Sequence, residues 1–330
     1  MTTRPYRPAI PEEILALSHE RDLLRRRGQY ARADKLKKQI EEAGYRIKDN
    51  PRGAHLVILP SIRVDGKEYR TAHLLPSLLD ETDQCTFSVI ILAQNTKEQS
   101  RRCVESVLRF ANTNDLEIIL VNNASCDGIE IWAEELQRQH PCLHVVQASR
   151  TMGIAEALNV GLKRSLGRYI LLLDAGVEVT GDIFTPLART LAEEDVSLTG
   201  PRGLRTEDMR HFEESQEAEV EVIDGRCMAF ERRLLRRTGF LDERYRYPFY
   251  MDVDFSFATR DQGANAVVTP HLPLINHADT TDQSLSDAER TRLTKRNFYR
   301  YLEKWGNRED LLLSEEFLED DEEEVNPEEM

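Results

Sequence analysis

The stretch Arg168-Tyr-Ile-Leu-Leu-Leu-Asp-Ala-Gly-Val-Glu-Val179 decides the fold. From Tyr169 to Leu173 five apolar residues follow one another with no polar alternation. A strand exposed on one face alternates. A strand covered on both faces need not, so this run is expected inside a parallel sheet clothed by helices. The run ends at Asp174, followed by Ala175 and Gly176. In open α/β sheets ligands are met beyond the carboxyl ends of strands, so Asp174 stands where a ligand or metal would arrive. Asp-x-Gly also makes simple turns, and that reading of Asp174 stays open.

Upstream, the same grammar repeats. Phe87-Ser-Val-Ile-Ile-Leu-Ala93 reads as a buried strand ending at Gln94-Asn95, with a helix across Glu98 to Phe110. Leu116 to Val121 is the next strand, ending in Asn122-Asn123-Ala-Ser-Cys-Asp127-Gly128, and a helix spans Ile129 to Gln139. Leu143-His-Val-Val146 is a third strand, and Gly153 to Gly161 opens the helix before Tyr169. Strands separated by helices of this length form right-handed βαβ units and a parallel sheet.

Residues 87–182 resemble the nucleotide-binding half of family 2 glycosyltransferases, which have the GT-A fold. Four landmarks carry the resemblance. They are Ser88 to Asn95, Glu117 to Gly128, the Gly153, Ala157, Asn159 and Gly161 pattern, and Tyr169 to Glu178. The resemblance implies nucleotide contacts from Ala93, Asn95, Asn122, Asn123, Asp127, Gly153 and Asn159, and a metal site at Asp174. Two departures stand out. The family's base-contacting Asp is Asn122 here, though an amide still hydrogen-bonds a base edge. The second carboxylate of its Asp-x-Asp motif is Gly176, and Glu178 is expected not to reach. Mg²⁺ or Mn²⁺ is the implied cofactor. With one ligand missing, the diphosphate would supply oxygens to it, or basic side chains such as Arg150 would substitute for it.

The second half carries more of the same resemblance. Residues 205–220 are polar and read as a mobile loop. Gly225 to Phe230 and Gly239-Phe-Leu-Asp-Glu243 match segments around the acceptor site, and Tyr250-Met-Asp252-Val-Asp254 matches the segment whose first Asp is the catalytic base. Met251 stands where the family has Glu. Asp254 suits a helix N-cap before Phe255, which leaves Asp252 for chemistry. His277, after the final strand, matches a family His that completes the metal or diphosphate site. It has a structural reading as well. Arg290 to Trp305 reads as a closing helix.

Residues 11–43 read as a helical hairpin, with Ile14, Leu17 and Leu24 facing Tyr30, Ala33, Leu36 and Ile40 across a break at Gly28. Two helices this short have no core of their own, so the stripe is expected to dock on the main domain or a second subunit. Arg25, Tyr30-Ala-Arg-Ala-Asp34, Ile40, Gly44 to Asp49, Pro51 and Gly53 resemble the C-terminal helical segment of cysteinyl-tRNA synthetases. No His-x-Gly-His or Lys-Met-Ser-Lys-Ser element accompanies it. Residues 54–84 read as a connector, in which His55 to Leu59 can form one strand and Asp65-Gly66 can turn a small hairpin between Ile62-Arg-Val64 and Tyr69.

Charge is uneven. Net charge is −15, yet residues 1–50 hold twelve Lys/Arg against eight Asp/Glu, and residues 311–330 hold ten acidic residues and no basic one. An acidic body argues against tight nucleic-acid binding. Five scattered cysteines, no apolar run near the ~20 residues of a membrane span and no apolar leader at Met1 to Pro11 lead to a cytoplasmic expectation.

The expectation is therefore an α/β GT-A fold, with a mixed, mainly parallel sheet, helices on both faces, and an N-terminal α-helical hairpin. The domains are the hairpin at 1–53, the connector at 54–84, the transferase-like unit at 85–306 and an acidic tail at 307–330. The chain would move a sugar from a nucleotide-diphosphate donor to a glycan, lipid-linked or other hydroxyl acceptor, with inversion, in cell-surface polysaccharide synthesis. A homo-oligomer is allowed for. A non-catalytic nucleotide- or partner-binding version of the fold, and an RNA-associated protein acting through the hairpin, are the alternatives.

Overall fold

The structure is a computed structural model that describes residues 10–50, 53–112, 115–277 and 286–313. The Gly167–Leu173 strand lies in the middle of a ten-stranded sheet. On one side it pairs in parallel with Cys85–Ala93, which pairs with Leu116–Asn122 and then Leu143–Ala148, all running the same way. On its other side Cys227–Glu231 runs antiparallel, followed by Val196–Gly200 and Asn265–Val268.

The apolar run explains why the sheet is covered twice. Ile170 and Leu172 point into one core with Ile90, Ile119 and Val121, under the Ile154–Arg164 helix. Tyr169, Leu171 and Leu173 point into the other with Val89, Ile91, Val104 and Val107, under the Lys97–Phe110 helix. Each such side chain contributes about 1.5–3 kcal/mol of transfer free energy, so a polar residue anywhere in the run would be costly. The Ile154–Arg164 helix comes close to the sheet at Gly161, where a Cβ would meet Ile90 Cγ2 at 2.6 Å.

The expected N-terminal helices are Glu12–Arg26 and Tyr30–Glu42. A β-hairpin follows, Tyr45–Asn50 against Gly53–Ile58, and the pairing runs across the boundary expected at 53. Ile47 and Leu56 of that hairpin cover Ile14 and Ile40. The helical stripe is thus partly buried by the chain's own next segment, and a second subunit is not needed for that. Arg21 is buried and forks onto Asp49, at 2.5 and 2.8 Å, tying helix to hairpin. The Arg21 hydrogen bond pulls the Asp49 carboxyl down to about 2.

Within 54–84 the small hairpin is present, and it joins the main sheet: Ile62–Val64 and Lys67–Tyr69 pair on the sheet edge, against Leu143–Ala148. Its turn is Asp65-Gly66, both at positive φ, as the dipeptide suggests. Residues 205–220 are not simply a loop. Gly203–Arg205 pairs with Glu213–Ser215 and with Val222–Ile223, and Met209 is buried under Tyr301 and Trp305. The closing helix, Asp287–Trp305, is followed by a turn at Glu309–Leu311 that packs Leu311 into the same cluster. The rest of the acidic tail, from residue 314, lies outside the described residues, as do Pro51 and residues 1–9.

Candidate active site

A cavity of about 450 Å³ opens where the Cys85–Ala93 and Gly167–Leu173 strands end, facing the start of the Met251–Arg260 helix. Asp174, Asp224 and Asp252 line it together with Gln94, Thr151 and Arg246. Two of the sequence-predicted residues, Asp174 and Asp252, therefore share one cavity although 78 positions separate them.

Asp252 sits in the first turn of its helix, partly open to the cavity. Its Oδ2 accepts the backbone N–H of Gly225 at 3.0 Å and its Oδ1 accepts that of Val253 at 2.9 Å. Gly225 has no side chain to push the aspartate away, since a Cβ there would lie 3.0 Å from Asp252 Cβ. Burial pushes the Asp252 carboxyl up to about 6. The Gly225 hydrogen bond works against this, and the charge of Asp224 adds to it. A carboxylate held near neutrality can accept a proton from an attacking hydroxyl and stay a useful base.

Asp254 does not cap the helix. The helix starts at Met251, so Asp254 lies inside the first turn, buried, accepting Lys304 Nζ at 3.0 Å and Trp305 Nε1 at 2.9 Å. Its work is to fasten the closing helix.

Asp174 is exposed to the cavity, and its Oδ1 accepts the N–H of Gly176 at 2.7 Å, the turn its sequence allowed. Its own N–H donates to Arg226 O at 2.8 Å. His277 is turned elsewhere. Its Nε2 lies 2.7 Å from Glu178 Oε2, and Glu178 is also 3.7 Å from Arg102 Nε. The Val177–Val179 strand buries Val177 and Val179, which sends Glu178 to the opposite side, toward His277.

The donor set does not make a metal site of its own at Asp174. Gly176 offers no carboxylate, and Glu178 and His277 are committed to each other. Among the described residues the one cluster of three metal-ligating side chains is His73, Glu156 and Glu243, none of which lines the cavity. A hard divalent ion needs about six oxygens, and Asp174 would bring one or two.

The residues expected to touch the nucleotide are mostly one layer behind the cavity wall. Asn123 is buried and holds Gln94 Oε1 at 2.8 Å and Met152 through both its N–H and its carbonyl. Asn122 donates to Gln147 and accepts from Ser125 N–H, so its amide serves the loop that follows. Asn95, at φ 55°, accepts the N–H of Cys126 at 2.7 Å. Asp127 accepts the N–H groups of Lys97 and Ile129, joining the starts of two helices. Asn159 exchanges two hydrogen bonds with the backbone of Leu241. Ala93 is buried and its carbonyl accepts Asn123 N–H. Gly153 lets the 245–246 backbone close over it, where a Cβ would lie 3.1 Å from Arg246 Cα. The polar wall consists instead of Gln94, Thr96, Thr151, Asp224, Arg226 and Arg246. Sequence spacing gave no signal for the last three, which belong to loops that converge only in space. Arg150 is exposed and does not line the cavity.

The sheet, with its acidic cavity beyond the strand ends, is that of a nucleotide-sugar-transferase fold. The chain belongs to the family described as "Glycosyl transferase family 2", which its residues 88–266 match. An uncharacterized glycosyltransferase, EpsJ, from Bacillus subtilis (strain 168) is 22% identical over 217 residues, 66% of this chain and 60% of EpsJ. The solved structure of GalNAc-T7 with UDP, GalNAc and Mn²⁺ superposes with a TM-score of 0.60 at 17% identity, covering 68% of this chain and 50% of that one. The mannosyltransferase PcManGT from Pyrobaculum calidifontis, in complex with GDP-Man and Mn²⁺, superposes at 0.52 with 19% identity, covering 69% and 65%. This chain thus spans less than two thirds of each. No helix among the described residues is long and apolar enough to cross a membrane.

Proposed function

We propose that the chain transfers a sugar from a nucleotide-diphosphate donor to an acceptor hydroxyl with inversion. One observation carries this reading. Asp252 lies at the cavity wall with its carboxyl raised to about 6, across from the strand end that bears Asp174. In the proposed step Asp252 takes the hydroxyl proton as the oxygen bonds to the anomeric carbon. The bond from that carbon to the diphosphate oxygen breaks on the opposite face, and the nucleoside diphosphate leaves with the electron pair. The N–H groups of Gly225 and Val253 each hold one carboxylate oxygen in place, and the remaining lone pairs of the group are left to meet the acceptor.

A Mg²⁺ or Mn²⁺ ion, where present, would supply positive charge to the leaving diphosphate. Asp174 is the one cavity residue from the metal motif that could touch it, and diphosphate and water would complete the shell. The acceptor is a glycan, a lipid-linked sugar or another hydroxyl, and the aromatic side of the cavity, Tyr247 and Phe249, suits the face of a sugar ring. The domain unit of 85–306 would carry this activity. The N-terminal unit, with Leu15, Leu23 and Tyr30 exposed, is the surface on which a homo-oligomer would form.

Release of nucleoside diphosphate from a panel of UDP-, GDP-, CDP- and dTDP-sugars, with and without simple acceptors, tests the reading. One donor should turn over. No turnover of any donor, together with no nucleotide binding, would overturn it. Binding of a nucleotide without turnover would favour the non-catalytic version of the fold, for which Gly176 and Met251 are the motif losses to cite.

A further inference from the structure

We propose that Arg246 grips the donor diphosphate, so that nucleoside diphosphate binds this chain without a protein-ligated divalent ion. The inference rests on the transferase reading of the same cavity.

A leaving diphosphate needs positive charge wherever it sits. The strand end that should hold a cation has one usable carboxylate, Asp174, while Glu178 and His277 face each other. Two guanidinium groups stand in the same wall. Arg226 is locked beside Asp174 because its carbonyl accepts Asp174 N–H at 2.8 Å. Its Nε and Nη2 fork onto Asp224 at 3.1 and 2.9 Å.

Arg246 is different from the other arginine of its loop. Arg244 is paired with Asp242 by three contacts. The Arg246 guanidinium has no hydrogen-bond or ion-pair partner among the described residues, although its backbone is fixed, its carbonyl accepting Ile154 N–H at 3.2 Å. The start of the Ile154–Arg164 helix is taken by the carbonyls of Tyr245 and Arg246, so the helix end is not offered to an anion and the side chain is.

Local charge allows this. Asp224 is balanced by Arg226 and by Arg202 at 3.4 Å. Burial pushes Asp252 toward its neutral form. Arg246 remains as the cation of the cavity wall with no carboxylate partner among the described residues. A diphosphate arriving there meets a planar cation whose fork matches phosphate oxygens.

The test is titration calorimetry of UDP, GDP, CDP and dTDP into the full chain, once in EDTA and once in MnCl₂. The expected result is that one nucleotide binds in EDTA within about fivefold of its affinity in Mn²⁺. Arg246→Gln should weaken that binding about tenfold or more, with Tm unchanged, and Arg246→Lys should recover part of it. Binding that appears only with Mn²⁺ would give the diphosphate to the ion and overturn the inference while leaving the transferase reading intact. Wild-type affinity in a folded Arg246→Gln chain would overturn it as well. Failure of all four nucleotides under both conditions would overturn the inference and the transferase reading together.

Discussion

The two sides of the cavity treat their carboxylates differently. Asp174 ends a strand, is exposed, and spends an oxygen on its own turn through Gly176 N–H. Asp252 begins a helix, is desolvated, and is held by the N–H of Gly225, a residue 27 positions earlier. The first environment leaves a carboxylate open to solvent and tied to its own turn. The second raises its proton affinity and fixes its direction. A base needs the second and a metal ligand needs several of the first, so the geometry favours proton transfer over ion binding at this site.

The largest effect that would break this contrast is at Asp252. Asp252→Asn keeps the shape and can keep the contact with Gly225 N–H, but it has no lone-pair base to offer. Turnover should fall about 10²–10⁴-fold with nucleotide affinity nearly unchanged. In the wild type the rate should rise with pH through about 6, because the group must lose its proton to act. Full turnover in the variant would place the base elsewhere.

Asp254, two residues on, separates chemistry from folding. Asp254→Ala removes a buried carboxylate and leaves Lys304 and Trp305 Nε1 without it. The expected loss is about 2–4 kcal/mol of stability. It would be read as a lower Tm and denaturation midpoint, with turnover of the remaining folded enzyme retained. Equal stability would mean that the closing helix is held by its aromatic contacts alone.

How much of this could be read from the sequence depended on whether neighbours in the chain are also neighbours in space. Tyr169 to Leu173 declared a doubly covered strand because each side chain, taken alone, had to be buried. Asp65-Gly66 declared its turn because both residues tolerate positive φ. The Glu213–Ser215 strand is short and polar and has no periodicity to read. It exists because Gly203–Arg205 is there to pair with it. Of the 45–58 hairpin, the second strand was legible at His55 to Leu59, while the first, with Tyr45 and Ile47 alternating against Arg46 and Lys48, was read through its resemblance to a helical segment. Residue type identified Asn122, Asn123 and Asn159 as polar and well placed, and could not say that their amides would be spent on Gln147, Gln94 and Leu241. Arg226 and Arg246 carried no motif, since their meaning comes from a cavity formed by distant loops.

Asp174 should matter less than its place at the strand end suggests. If the diphosphate is held by Arg246, Asp174→Asn should change nucleotide affinity in EDTA by less than about threefold, and the turnover rate by no more than about tenfold. A much larger loss, appearing with Mn²⁺ and absent with EDTA, would restore the ion to the centre of the site.

The smallest expected effect concerns the carboxylate beside the base. Asp224 faces the same cavity as Asp252 and adds to its raised pKa, after burial, which is the larger cause. Asp224 is itself held ionised by Arg226. Asp224→Asn removes one negative charge near Asp252 and loosens the fork that neutralises Arg226. Both changes stabilise the ionised form of Asp252, so they act in the same direction. The rising limb of the pH profile should move down from about 6, and it should stay above the ordinary aspartate value because burial is untouched. Rates well above the limb should change little. In stability the sign is opposite to that of a salt-bridged acid. A carboxyl whose folded pKa is raised binds its proton more tightly when folded, so it costs the folded state stability as pH rises from 3.8 to about 6. Asp224→Asn should shrink that cost, giving a flatter dependence of the denaturation midpoint on pH in that window. A limb that moves up, or a steeper dependence, would mean that Asp224 is not the charge Asp252 feels.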